Sequence, residues 1–327
     1  MLVSVVIPCY RSAMTLPTVV NEIRDTFAIH PEYDYQIVLV NDGSPDGGET
    51  YRTIQLLCEQ DKKIVGVDLS RNFGQACARM AALPYIKGDC AVYMDDDGQH
   101  PAEGIFTLVK EIENGYDVVY AQFRKKKHSL FKRITSNMNR RMLELLGVKP
   151  KGITTTAFFA WSRFSIDALK EYRSPTPSVG SYLSKVTSRF KMVDVEHRER
   201  IAGKSGYTLK KLIRLAINGF TNFTTVPLRI SAFLGMAIAG IGFIAGLVIV
   251  VRKLIHPTIA MGYTSLMSII LLLGGLVLVS LGIIGEYIGR IYMILSDMPQ
   301  YMVREVENAP TDELKETSEE VDENLIR

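Results

Sequence analysis

The stretch CAVYMDDDGQHP, residues 90–101, runs an apolar segment into three consecutive carboxylates, Asp95, Asp96 and Asp97, and closes on Gln99, His100 and Pro101. A short apolar run bounded by a polar cluster reads as a buried strand with a polar carboxyl end. Adjacent like charges repel, so three crowded acids point to a cation among them or to a solvated turn. On a strand, Asp95 and Asp97 are expected to project to one side and Asp96 to the other, so that alternate carboxylates share one ion. Oxygen donors select Mg2+ or Mn2+, and Mg2+ typically takes one or two protein carboxylates, with phosphate oxygens and water completing its shell.

Outward from this stretch, four more apolar, β-rich segments recur with helical patterns between them: LVSVVIP (2–8), YQIVLVND (35–42), KIVGVDLS (63–70) and DVVYAQF (117–123). The alternation predicts an α/β domain built on a mostly parallel sheet, in which ligands bind beyond the carboxyl ends of the strands. Polar residues gather at those ends: Pro8 and Tyr10, Asn41 and Asp42, Ser70 and Arg71, and Asp95 to Gln99. No GxGxxG or GxxxxGK[ST] follows any of these strands, which argues against dinucleotide and P-loop sites. Cys9, Cys58, Cys77 and Cys90 lack CxxC spacing and read as buried, reduced thiols.

The last third of the chain has a different character. Ile230 to Val251 is a charge-free run of 22 residues, about 33 Å long as helix against a hydrocarbon core of about 30 Å. A second runs from Gly262 to Gly285, and the connector from Arg252 to Met261 is short and contains Pro257. Two transmembrane helices in an antiparallel hairpin follow. Lys210, Lys211, Arg214 and Arg229 before the hairpin, with Arg290 and Arg304 after it, outnumber Arg252 and Lys253 in the connector, so both flanks are expected in the cytoplasm. Just upstream, apolar positions from Leu209 to Phe223 keep helical spacing opposite a basic face, predicting an amphipathic interfacial helix. The expected organisation is therefore a cytoplasmic domain over 1–206, an interfacial region over 207–228, two spans within 229–290, and a cytoplasmic segment over 291–327 ending in an acidic, disordered tail. No signal peptide is expected in MLVSVVIPCY. Glycines in both runs allow close packing within the hairpin or between protomers, leaving a homo-oligomer open.

The net charge of +3 conceals an asymmetry, because the chain from Glu305 onward holds nine acids against Lys315 and Arg327. The body is basic, as suits anionic lipid or phosphorylated substrates. No nucleic-acid partner is expected.

Taken in order, VSVVIPCY (3–10), VNDGSPDG (40–47), LSRNFGQ (69–75), MDDDGQHP (94–101), FKRITSNMNRR (131–141), HRERIAGKSGY (197–207), TTVPLR (224–229) and GEYIGRIY (285–292) resemble the landmarks of membrane-bound family 2 glycosyltransferases of the GT-A fold that use polyprenyl phosphate. The resemblance implies an inverting, metal-dependent transfer of sugar from a nucleotide diphosphate sugar to a polyprenyl phosphate such as undecaprenyl phosphate. It implies Pro8, Tyr10, Asp42, Asp95 and Asp96 at the nucleotide sugar, and Asp95, Asp97 and Gln99 around Mg2+ or Mn2+. It further implies that Asp97, Arg124 and Arg200 carry the rate, and that Arg124, Lys132, Arg133 and Ser136 hold the lipid phosphate. The location implied is the cytoplasmic (inner) membrane, with the catalytic domain in the cytoplasm. Several positions depart from the family pattern: Arg11 and Ser12 replace an Asn–Glu pair, Asn41 a common Asp, Gly206 a Lys, and Ile153 and Phe159 an Asp and an Arg. The alternatives are a membrane-anchored nucleotide-sugar binding or scaffold protein without transfer activity, and a polysaccharide synthase. Only two spans and no QxxRW-like segment speak against the second.

Overall fold

The computed structural model describes residues 1–123, 152–174, 177–195, 262–296 and 299–309, together with scattered helical positions between 232 and 255. Met1–Leu209 and the chain from Pro299 form one compact unit, and Lys210–Met298 a second.

The first unit is built on an eight-stranded sheet. Its strands are β1 (Leu2–Cys9), β2 (Asp34–Asn41), β3 (Ile64–Leu69), β4 (Cys90–Tyr93), β5 (Val118–Phe123), β6 (Phe159–Ser162), β7 (Phe190–Val195) and β8 (Val303–Glu307). They lie in the order β7-β5-β6-β4-β1-β2-β3-β8. β1 pairs in parallel with β2 and β4, β2 with β3 and β5 with β7, while β6 and β8 run antiparallel to their neighbours. The expected mostly parallel α/β sheet is therefore present. Its five recognised segments hold β1 to β5; β6, β7 and β8 carry much weaker sequence signals.

Parallel strands covered on both faces need apolar residues throughout, and every residue of β1 from Val3 to Cys9 is buried. Against one face pack α1 (Leu16–Ile29), α2 (Glu49–Gln60) and α4 (Gly104–Glu113), which contribute Leu16, Ile23, Ile54, Ile105 and Leu108 to a core with Val5, Ile7, Ile37 and Leu39. Further α-helices among the described residues are α3 (Gln75–Ala82), α5 (Arg163–Lys170) and α6 (Val179–Val186). α5 begins where the Ser162 hydroxyl accepts the Ser165 N–H at 3.3 Å, an N-cap that satisfies one of the helix's orphan donors. All four cysteines are buried and free.

Chain order reverses between β1 and β4, because β2 and β3 lie on one side of β1 and β4 on the other. In open α/β sheets this switch point is where a crevice opens. The Val6 carbonyl accepts Met94 N–H at 3.1 Å and the Cys9 carbonyl accepts Asp42 N–H at 3.0 Å, so even-numbered residues of β1 face β4 and odd-numbered ones face β2. Pro8 therefore lacks an N–H just where β4 has already ended, at Tyr93. A proline is tolerated in a central strand only at such an unpaired point.

In the second unit, the described positions between 232 and 255 are helical. α7 (Tyr263–Leu295) is a single helix of 33 residues. Its portion Leu273–Leu295 has a mean hydropathy of 1.5, long and apolar enough to cross a membrane. The helix runs ten residues beyond the Gly285 at which the sequence reading ends its second span. The interfacial region over 207–228 lies outside the described residues.

The C-terminal segment adds a strand, short of the stretch after Pro310 that the sequence reads as disordered. Glu305 and Glu307, grouped with the acidic tail, belong to β8, which pairs antiparallel with β3. β8 is anchored further by Asn308, whose side-chain amide donates to the carbonyls of Cys58 at 2.8 Å and Ile64 at 2.9 Å. The chain beyond Ala309 lies outside the described residues.

Candidate active site

The site collects at the carboxyl ends of β1 to β4. β4 stops at Tyr93, and Asp96 and Asp97 sit in a turn that continues to Gly98 at φ +72°. The expected strand alternation of the three acids is thus corrected: a turn, with hydrogen bonds to its neighbours, sorts the carboxylates. Asp96 points at β1, where its Oδ2 accepts the Tyr10 N–H at 3.1 Å and the Ser12 hydroxyl. Burial raises its carboxyl above the usual carboxylate range, opposed by the Ser12 and Tyr10 donors, and neighbouring Asp95 adds to the rise. Asp95 Oδ1 instead accepts the Gln75 side-chain amide at 2.8 Å, and Asp97 Oδ1 accepts the Gln99 N–H at 3.1 Å.

Behind the acids, the Asp95 N–H donates to His100 Nδ1 at 3.0 Å. The His100 ring is buried and lies parallel to Phe158, 4.9 Å away, and to Phe123, the last residue of β5, 5.7 Å away. Glu22 of α1 accepts the Ala102 N–H at 3.1 Å. The turn is thus fastened to α1, α3, β1 and β5.

Opposite, the β2–α2 turn meets the β3–α3 loop. Asp42 is buried; its Oδ1 accepts the Phe73 N–H at 2.8 Å and its Oδ2 the Gly74 N–H at 3.0 Å. Burial raises the Asp42 carboxyl and these two amides pull it back. Gly43 passes so close that a Cβ there would lie 2.2 Å from the Arg71 carbonyl carbon, at a φ of +53° that already favours glycine. Arg71 stands 4.7 Å over the Phe73 ring. Tyr10 stays 46% exposed on the rim, with Arg11 5.8 Å from its ring centroid.

The structure thus gathers Pro8, Tyr10, Asp42, Asp95, Asp96, Asp97 and Gln99 at one end of the sheet. Arg124, Lys132, Arg133, Ser136 and Arg200 lie outside the described residues, although β5 ends at Phe123 and its parallel neighbour β7 at Val195. Ser12, Gln75 and His100 are members the sequence reading missed. Ser12 stood out there only as a departure, Gln75 and His100 only as parts of quoted motifs.

Of the departures, Gly206 lies outside the described residues, and Ser12 and Phe159 have side-chain partners. Ser12 serves Asp96, as above. Ile153 is buried, and Phe159 is a core residue of β6, its ring stacked 4.9 Å from Tyr93 with the Arg79 guanidinium 5.1 Å from its centroid.

Among the described residues no group of three or more His, Cys, Asp or Glu side chains converges as a metal site. Two half-buried carboxylates in one turn, Asp95 and Asp97, nevertheless fit a hard cation that takes only one or two protein ligands.

Residues 4–172 match the family model for Glycosyl transferase family 2, and residues 226–291 that for the GtrB C-terminal hairpin. The chain belongs to glycosyl transferase family 2. Along this glycosyltransferase, similarity to curated relatives runs through both units. It is 34% identical to an uncharacterized glycosyltransferase, YkcC, of Bacillus subtilis, covering 92% of this chain and 93% of that one. It is 31% identical to a prophage-derived bactoprenol glucosyl transferase of Shigella flexneri, covering 93% and 98%. It is 32% identical to an undecaprenyl-phosphate 4-deoxy-4-formamido-L-arabinose transferase of Aeromonas hydrophila, covering 98% of both. Among solved structures, glucosyl-3-phosphoglycerate synthase of Mycobacterium tuberculosis superposes with a TM-score of 0.50 at 18% identity, covering 68% of this chain and 78% of that one, a likeness of fold.

Proposed function

We propose that this glycosyltransferase moves a sugar, with inversion, from a nucleotide diphosphate sugar to a polyprenyl phosphate, in the manner of undecaprenyl phosphate, at the cytoplasmic face of the inner membrane. The observation that carries this reading is the length of the similarity. Two relatives whose names specify bactoprenol or undecaprenyl phosphate align over 93% or more of this chain, through the sheet unit and the hairpin alike.

The geometry supports it. The acidic turn lies at the switch point of the sheet, with Tyr10 on one side and the β3–α3 loop on the other. Asp95 and Asp97 would hold Mg2+ or Mn2+, whose charge offsets that developing on a departing diphosphate. Asp96, tied to Tyr10 and Ser12, fixes the turn against β1. Pro8, Tyr10 and Asp42 frame the nucleotide end. Arg124 and Arg200 follow β5 and β7, two strands that end on the same side of the sheet as β1 and β4, and guanidinium forks suit phosphate oxygens. Lys132, Arg133 and Ser136 are assigned to the lipid phosphate. An acceptor phosphate monoester has a second pKa of about 6 and is largely anionic at neutral pH, so the chemistry requires no strong general base.

The proposed organisation keeps a cytoplasmic catalytic domain over 1–206, an interfacial helix over 207–228 and two spans within 229–290. Incubating the purified full chain with Mn2+ or Mg2+, labelled nucleotide sugars and undecaprenyl phosphate, followed by lipid extraction, tests the reading. Label in the organic phase is expected with at least one donor. Its absence with every donor would favour a binding or scaffold role.

A further inference from the structure

Asn41 ends β2 inside a set of side-chain contacts that fixes which way its amide points. It is the in-register neighbour of Asp68 across β2 and β3, and both side chains are buried. Asn41 Oδ1 accepts from Ser44, from the hydroxyl at 2.6 Å and the backbone N–H at 3.3 Å. A backbone N–H can only donate, so the amide nitrogen must face the other way, and it donates to Asp68 Oδ1 at 2.7 Å. An Asp at 41 would set two carboxylates against each other in that buried contact.

The contacts continue in both directions. Ser44 Oγ accepts the Arg11 N–H at 3.0 Å, and Arg11 is held at φ +59°, a left-handed conformation unusual for a non-glycine residue. On the far side, the β3–β8 register shifts between Asp68 and Leu69, so that Glu305 and Val303 take successive partners and Arg304 is the extra residue of a bulge. Bulges re-aim side chains. Arg304 donates to the Ser70 carbonyl at 2.9 Å and lies 3.9 Å from Asp68 Oδ2. A residue that follows the hairpin in the chain is thereby linked, through Asp68, Asn41 and Ser44, to the turn that carries Tyr10 and Ser12.

We propose that Asn41 is a positioning residue for the donor end of the site: braced by Asp68 and Arg304, it sets the Tyr10–Ser12 turn through Ser44. What that turn contacts rests on the function proposed above; the bracing does not.

Hydrogen–deuterium exchange on the purified full chain separates the two. In Asn41→Asp and in Ser44→Ala, the peptide containing Arg11 should exchange about tenfold faster, the loss expected for one broken hydrogen bond. Arg304→Gln should give a smaller rise. The swap Asn41→Asp with Asp68→Asn restores an amide–carboxylate pair in reversed direction and should bring exchange back to within about threefold of wild type. Should Asn41→Asp fail to fold, Ser44→Ala carries the same test. Unchanged exchange at Arg11 in the single variants, or no recovery in a folded swap, overturns the proposal. In the transfer assay, with the donor that wild type uses best, Asn41→Asp should raise the donor KM about tenfold with kcat nearly constant. A fall in kcat alone would remove Asn41 from the donor end. Loss and recovery of protection in a chain that transfers no sugar from any donor would support the bracing and sink the proposed function.

Discussion

The backbone N–H of Tyr10 donates to the Asp96 carboxylate at 3.1 Å, joining the end of β1 to the end of β4 where chain order reverses. Ser12 donates its hydroxyl to the same oxygen. The middle acid of the triplet therefore acts as a tether, and the turn's other carboxylates take different partners. Removing the hydroxyl in Ser12→Ala should cost about 2 kcal/mol, the usual worth of a hydrogen bond to a charged group. Thermal unfolding of the full chain would register that loss, and the donor KM should rise as the turn loosens. A variant with wild-type melting and wild-type KM would show that Asp96 does not hold the turn in this way.

Asp97 is assigned to the metal. Asp97→Asn keeps the side chain's shape but removes a charge, so transfer should fall by about 100-fold or more, with membrane insertion intact. Mn2+ titration in the presence of the nucleoside diphosphate of whichever donor supports transfer reads the binding step directly. Wild-type Mn2+ affinity and rate in the variant would move the metal away from Asp97.

β1 to β5 were legible because strands covered on both faces are nearly continuous apolar runs. β6, β7 and β8 were not. β6 is four residues long, most of β7 is only half-buried, and β8 places Arg304 and two acids in a strand whose sequence reads as part of a charged tail. The acids of the site stood out as a run in the sequence, but what each one does depends on contacts between distant positions. Ser12 meets Asp96 across 84 residues and Asn41 meets Asp68 across 27, separations that a single sequence leaves unmarked. Ser12 and Asn41 therefore looked like lapses from a family pattern, although each donates a side-chain hydrogen bond to a carboxylate of the sheet unit.

His100 supports Asp95 through a bond from backbone to ring and is clamped between Phe123 and Phe158. His100→Phe retains an aromatic ring in that stack but leaves the Asp95 N–H without its acceptor, at a cost of about 1–3 kcal/mol. Lower thermal stability and a slower transfer rate should appear together. If the rate drops while stability is unchanged, the ring acts on the reaction by some route other than holding Asp95.

Asp42 permits a test by pH. Burial raises its carboxyl above the reference of 3.8, while the Phe73 and Gly74 amides act in the opposite sense. An acid whose pKa is raised on folding contributes fully below its unfolded pKa, and that contribution is lost as pH climbs through the raised folded value. Asn cannot titrate, so Asp42→Asn lacks this loss. The stability difference between Asp42→Asn and wild type should therefore shift in favour of the variant as pH rises from about 4 towards neutral, a change that urea unfolding at a series of pH values would resolve. The variant still gives up one acceptor to the Gly74 N–H, so at the acid end it should be the less stable protein by about 1 kcal/mol. A difference independent of pH would mean that Asp42 titrates alike in the folded and unfolded chain and that its two amide bonds fully offset its burial.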